Sequence, residues 1–169
     1  DLQTRATGYG YSLWEVAVFG TPTTGTPATC GTTNVAAGKA ASASSVENAG
    51  TPASAAFDGS TSTRWSSAPS DAQWLQVDLG ARQSVCEVVL TWESAFARSF
   101  RVLTSDDGTT WSPAATVTSG TGGTQTVAVA ATARYVRLDL QTRATGYGYS
   151  LWEVAVRTGD PGTDPGDPG

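Results

Sequence analysis

Residues 1–18, DLQTRATGYGYSLWEVAV, return letter for letter as residues 139–156. An identity of 18 residues does not arise by chance, so the chain reads as a slice of a tandem array with a period of 138 residues. Solenoid repeats recur every ~20–50 residues, too short to hold a core alone. A far longer period makes each copy a domain with a core of its own. On this reading residues 1–18 are the tail of a preceding copy and 19–29 a linker; 30–156 form one complete domain and 157–169 a second linker.

The two linkers differ in chemistry. The first is rich in Thr, Pro and Gly, and the second, RTGDPGTDPGDPG, repeats Asp-Pro-Gly and reads as an extended acidic spacer. Neither has the apolar content to pack a core. Lys39 is the single lysine and the net charge is −5, which argues against nucleic acid or an anionic membrane as a partner. No apolar run is long enough to span a bilayer.

Inside residues 30–156 the pattern is short strands separated by turns. WLQVDLG (74–80) alternates, with Leu75, Val77 and Leu79 on one face and Gln76 and Asp78 on the other. VCEVVLTW (85–92) places Cys86, Val88 and Leu90 together, and SFRVLTS (99–105) is a further strand. SDDGTTW (105–111) is a tight turn into the arm that follows it. TQTVAVA (124–130), ARYVRLDL (133–140) and SLWEVAV (150–156) complete the set. No stretch has helical periodicity; AASASSVENAG has room for one turn. The expectation is an all-β sandwich or barrel. Cys30 at the domain start and Cys86 in an apolar strand fit one disulfide staple in an exported protein; the alternative is a buried free Cys86 and an incidental Cys30.

Read in order, NVAAGKAASASS, ASAAFDGSTSTRWSS, QWLQVDLG, SDDGTTW, ARYVRL and GYGYSLWEVAV resemble the coagulation factor 5/8 type C (discoidin) domain, in its carbohydrate-binding module family 32 branch from bacterial secreted glycoside hydrolases. The resemblance covers about residues 30–156. It implies a discoidin-like jelly-roll β-sandwich of about eight antiparallel strands, no catalysis, and sugar binding by loops at one end. One departure is Lys39-Ala40-Ala41-Ser42, where relatives commonly read Lys-Pro-Ala-Thr.

AAFDGSTSTRW gathers oxygen-bearing side chains around a glycine, the donor type that a hard cation takes. Glu153 lies far downstream in an apolar strand, where an unpaired carboxylate is costly. The two oddities explain each other if Glu153 closes a calcium site on that loop; the alternative is an Asp-Gly turn and an edge-facing glutamate. The resemblance implies a structural Ca2+ held by the side chains of Asp58, Ser60, Thr63 and Glu153 and the carbonyls of Ala55 and Trp152.

A neutral pyranose needs an aromatic face and a few polar groups for its hydroxyls. Trp65, Trp92 and Trp152 have strand-like surroundings and read as core. Tyr147 and Tyr149, in ATGYGYS, read as exposed loop aromatics or lids, the alternative being packing over the barrel mouth. Glu47, Arg64, Asp71 and Glu93 come from different loops, and the resemblance places them with the two tyrosines on the sugar-binding face of the chitosan- and glucan-binding branch. The bland reading of Arg64 is an ion pair with Glu47 or Glu93. Pro69 stands where relatives of this type commonly carry Tyr.

Histidine and the Gly-x-Ser-x-Gly elbow are absent, and neither cysteine has a base partner in sequence. Glu47 and Glu93 are the only candidates for a two-acid glycosidase, on a unit too short for a long cleft. The expectation is therefore a non-catalytic module that targets a secreted polysaccharide-degrading enzyme to β-glucan, chitosan or galactan-type glycans, with neighbouring repeats and a catalytic domain in the parent chain. Linked weak sites gain avidity, which suits a polysaccharide binder. The alternative is an adhesion module for a protein or cell-surface partner.

Overall fold

The computed structural model describes residues 30–159. The duplicated segment 1–18, read above as the tail of a preceding copy, the first linker and residues 160–169 lie outside that range. The described chain is all-β apart from one 3₁₀ turn, Ala53–Ala56. Its strands are β1 (Cys30–Asn34), β2 (Ala40–Ala43), β3 (Trp65–Ser66), β4 (Gln73–Trp92), β5 (Ala97–Ser105), β6 (Ser112–Val117), β7 (Thr124–Arg143) and β8 (Ser150–Gly159).

All pairings are antiparallel, in the order β1-β8-β4-β7-β5-β6, with β2 on β4 and β3 on β8. Two long strands turn this ladder into a sandwich. The first half of β4 pairs with β2 and with the second half of β7, which continues to β5 and β6. The second half of β4 pairs with β8 and with the first half of β7. Between the halves the register breaks from Asp78 to Gln83, where Gly80 has φ 85° and Gly80, Ala81 and Arg82 are exposed. Such a bulge bends a strand from one layer into the next. The pairs of short strands expected at 74–80 and 85–92, and at 124–130 and 133–140, are therefore two continuous bent strands.

The core lies between the layers. Leu75, Val77, Leu138, Leu140 and Phe100 meet Trp65, Val88, Leu90, Leu151 and Val154, all essentially inaccessible to water. The expected alternation holds in β4, with Leu75, Val77 and Leu79 inside and Trp74, Gln76 and Asp78 half-exposed. One phase assignment fails: Cys86 is half-buried, and Val85 takes the inward position that the sequence suggested for Cys86. The register shifts between Val85 and Glu87 against both neighbouring strands, so the apolar phase slips by one residue at a bulge. Cys86 then points away from the core and bonds to Cys30, 56 residues away in sequence. Strand β8 also outruns the expected boundary at 156: Arg157 pairs with Glu87 at 2.7 Å, and Gly159 lies opposite Cys30.

Candidate functional site

One pole of the sandwich is built from four adjacent backbone segments. The Glu47 amide donates to Ser66 O at 2.7 Å, Ser66 pairs with Ser150, and the Glu93 amide donates to Ser150 O at 3.0 Å. The lateral order is therefore the Glu47 loop, β3, β8 and the end of β4. This order stations one glutamate on each flank of a floor made by two buried serines, Ser66 and Ser150. Above the floor is an open pocket of about 250 Å3, lined among others by Glu47, Arg64, Glu93 and Tyr147.

The electrostatics are acidic: two carboxylates face one guanidinium. Arg64 Nη2 lies 3.8 Å from Glu47 Oε2, both side chains remaining partly exposed, and its guanidinium carbon stands 5.8 Å from the centre of the Trp152 ring. Burial pushes the Glu93 carboxyl up, but hydrogen bonds from the Ser94 hydroxyl and the Ala95 amide, with the Arg64 charge, outweigh it and hold Glu93 below its ordinary value. It stays ionised and keeps lone pairs for a ligand. Tyr147, 77% exposed, stands on the rim, as a stacking platform must. A wet, polar pocket with one exposed ring suits a hydroxylated or cationic sugar better than an apolar molecule.

Four of the six expected sugar contacts, Glu47, Arg64, Glu93 and Tyr147, thus meet in one pocket. Two lie off it. Tyr149 is fully buried, and its hydroxyl donates to Asp71 O at 2.7 Å. The Gly-punctuated loop exposes only the first tyrosine, because Tyr149, immediately before β8, is buried in the same phase as Leu151. Burial pushes its phenol pKa up, so it remains a donor. Asp71 is exposed but committed to Arg143, which holds its carboxyl below the usual range. Pro69 is exposed. Ser66 and Ser150 were missed because nothing in the sequence marks small strand residues as a floor.

The loop of the expected cation ligands meets β8 through Glu153. Glu153 Oε1 accepts from Asn34 Nδ2 and Oε2 from the Gly59 amide, both at 3.1 Å. Burial, and then the Asp58 charge, push Glu153 up to about 7 against those two hydrogen bonds. Asp58 accepts from the Ser60 amide at 2.9 Å and the Thr63 hydroxyl at 2.6 Å. The Ser60 hydroxyl pairs with Ser62 instead. Ala55, Asp58 and Thr63 share one cavity, and Trp152 is half-buried. Among the described residues neither Asp58 nor Glu153 forms an ion pair, and no three acidic, His or Cys side chains cluster. Asp58, Glu153 and the Thr63 hydroxyl bring the oxygen groups that a hard cation takes, while both Glu153 oxygens accept N–H hydrogen bonds in this structure.

Residues 40–154 match the family model described as F5/8 type C domain. Chitosan-binding module 1 from a chitosanase/glucanase of Paenibacillus sp. IK-5 is 49% identical with a TM-score of 0.71, over 73% of this chain and 98% of that one. Module 2 of the same enzyme, solved with chitotriose, is 40% identical with a TM-score of 0.71, over 73% and 98%. The family 32 module of C. perfringens NanJ, solved with galactose, is 26% identical with a TM-score of 0.62, over 70% and 92%. No curated protein sequence matches the chain.

Proposed function

The chain belongs to the F5/8 type C domain family, and from that premise we propose that it is a non-catalytic carbohydrate-binding module whose ligand is a chitosan-type glycan, held in the pocket of Glu47, Arg64, Glu93 and Tyr147. The observation that carries this reading is the pair of carboxylates on opposite flanks of the floor, with one guanidinium between them and one exposed ring above. Ammonium groups of glucosamine units are charge-assisted partners for such carboxylates, and the tyrosine offers its face to a pyranose. The chitotriose-bound relative supports the choice of ligand class. The disulfide fits an extracellular home, where linked copies would tether a polysaccharide-degrading enzyme to its substrate.

A structural Ca2+ belongs to the same proposal. Asp58, Thr63 and Glu153 would hold it by side chain and Ala55 and Trp152 by carbonyl, while Ser60 has its hydroxyl turned to Ser62. The ion would neutralise the Asp58–Glu153 pair and tie the 58–63 loop to β8, with no part in ligand chemistry.

The test is calorimetric titration with chitotriose, N,N′,N″-triacetylchitotriose, laminaritriose and galactobiose. Saturable heat with chitotriose and little with the others is expected. Equal binding of the acetylated trimer would remove the carboxylate argument, and binding of galactobiose alone would move the ligand to the galactan class.

A further inference from the structure

An exposed ring on a glycine-flanked loop ordinarily samples many positions. The loop that carries Tyr147 is held instead. Arg143, the last residue of β7, donates from Nη1 to the carbonyl oxygens of Gly146 and Tyr147 at 3.1 and 3.2 Å. Its Nε donates to Asp71 Oδ1 at 2.9 Å, and its backbone amide reaches the same oxygen at 3.2 Å. Asp71 is itself anchored, since its carbonyl accepts from the Tyr149 hydroxyl and Tyr149 is fully buried. On the far side of the loop, a Cβ at Gly148 would lie 2.1 Å from Ser67 O, so the chain is pressed against the backbone that follows β3.

We propose that Arg143 is a positioning residue for glycan binding: it clamps the carbonyls of residues 146 and 147 to an anchor of Asp71 and core Tyr149, and so presents the Tyr147 ring at the pocket rim before ligand arrives. The proposal rests on the glycan reading of that pocket. Arg143 itself does not line the pocket; it acts through Tyr147. A planar guanidinium serves two carbonyls and a carboxylate at once from different nitrogens, which a lysine point charge does not do. Ordering the loop in advance leaves less freedom to lose on binding.

The experiment is a double-mutant cycle on chitotriose affinity with Arg143→Ala, Tyr147→Ala and the pair, alongside 15N order parameters at residues 146–148 without ligand. Arg143→Ala is expected to weaken chitotriose about 5-fold and to add nothing to the loss from Tyr147→Ala. Order parameters at the loop should fall. Asp71→Asn, at a side chain 57% exposed, should reproduce both effects in smaller measure and keeps the test intact if Arg143→Ala folds poorly. Additive losses, or unchanged affinity in Arg143→Ala, overturn the positioning role. Unchanged order parameters overturn the clamp. Absence of chitotriose binding by the unmutated protein overturns the glycan reading and the role in binding with it, and the order parameters then decide the clamp on its own.

Discussion

Glu93 and Asp78 are both carboxylates held below their ordinary pKa, for different ends. Glu93 keeps its charge beside an open pocket and, among the described residues, forms no ion pair. Glu93→Gln should weaken chitotriose about 10-fold, the size of one charge-assisted hydrogen bond, with the melting temperature within about 2 °C; calorimetry and thermal scans check both. Asp78 lies on the outer sheet face, where Arg134 donates to it from Nε and Nη2, both at 2.8 Å. That pair, with the Gly80 amide, lowers its pKa from 3.8 to about 2 despite an opposing push from burial. A folded-state pKa below the unfolded one contributes stability that is fully present above the unfolded value and is lost as pH falls through the folded one. With Arg134 41% exposed, solvent screening reduces the contribution to about 1 kcal/mol. Urea midpoints for Asp78→Asn against the parent should therefore differ at pH 6 and converge toward pH 2.

At the scale of elements, the 58–63 loop and β8 meet through Glu153, and two testable consequences separate a cation tie from a plain hydrogen bond. On the proposed site, calcium should raise the melting temperature by binding the folded form alone, and EDTA should reverse the rise. Glu153→Gln should keep a contact to the Gly59 amide yet lose the calcium increment; a calcium response that survives this substitution would remove Glu153 from the site. The strands show where residues speak for themselves. Leu75, Val77 and Leu79 were legible because alternation states the inward face of a strand directly. Cys86 was misphased because a bulge shifts that alternation and leaves no mark in composition. Glu47, Arg64, Glu93 and Tyr147 were placed by the family pattern rather than by their own chemistry, since each alone reads as a surface side chain. That Tyr149 and Asp71 lie off the pocket was not legible because the hydrogen bond that joins them spans 78 residues, and Arg143 was passed over because its partner is 72 residues away.

For the molecule as a whole, the disulfide closes the longest-range covalent tie. A separation of 56 residues corresponds to about 4 kcal/mol of lost denatured-state freedom in the chain-entropy model. Cys30→Ser/Cys86→Ser should lower stability by up to about that amount, read from urea unfolding, while chitotriose affinity stays unchanged, because the bond lies at the end of β8 remote from Ser150. That placement also fixes how the domain bears force. Both exits of the described chain, Cys30 and Gly159, are opposite one another in a strand pair, and the pocket is at the other end of β8. Tension applied through the two flanking segments enters and leaves at a single point, where β1 is covalently bound to β4. A pull between Cys30 and Gly159 therefore loads that end of the sandwich, where the Cys30–Cys86 bond fastens β1 to β4, and not the pole of Ser66 and Ser150.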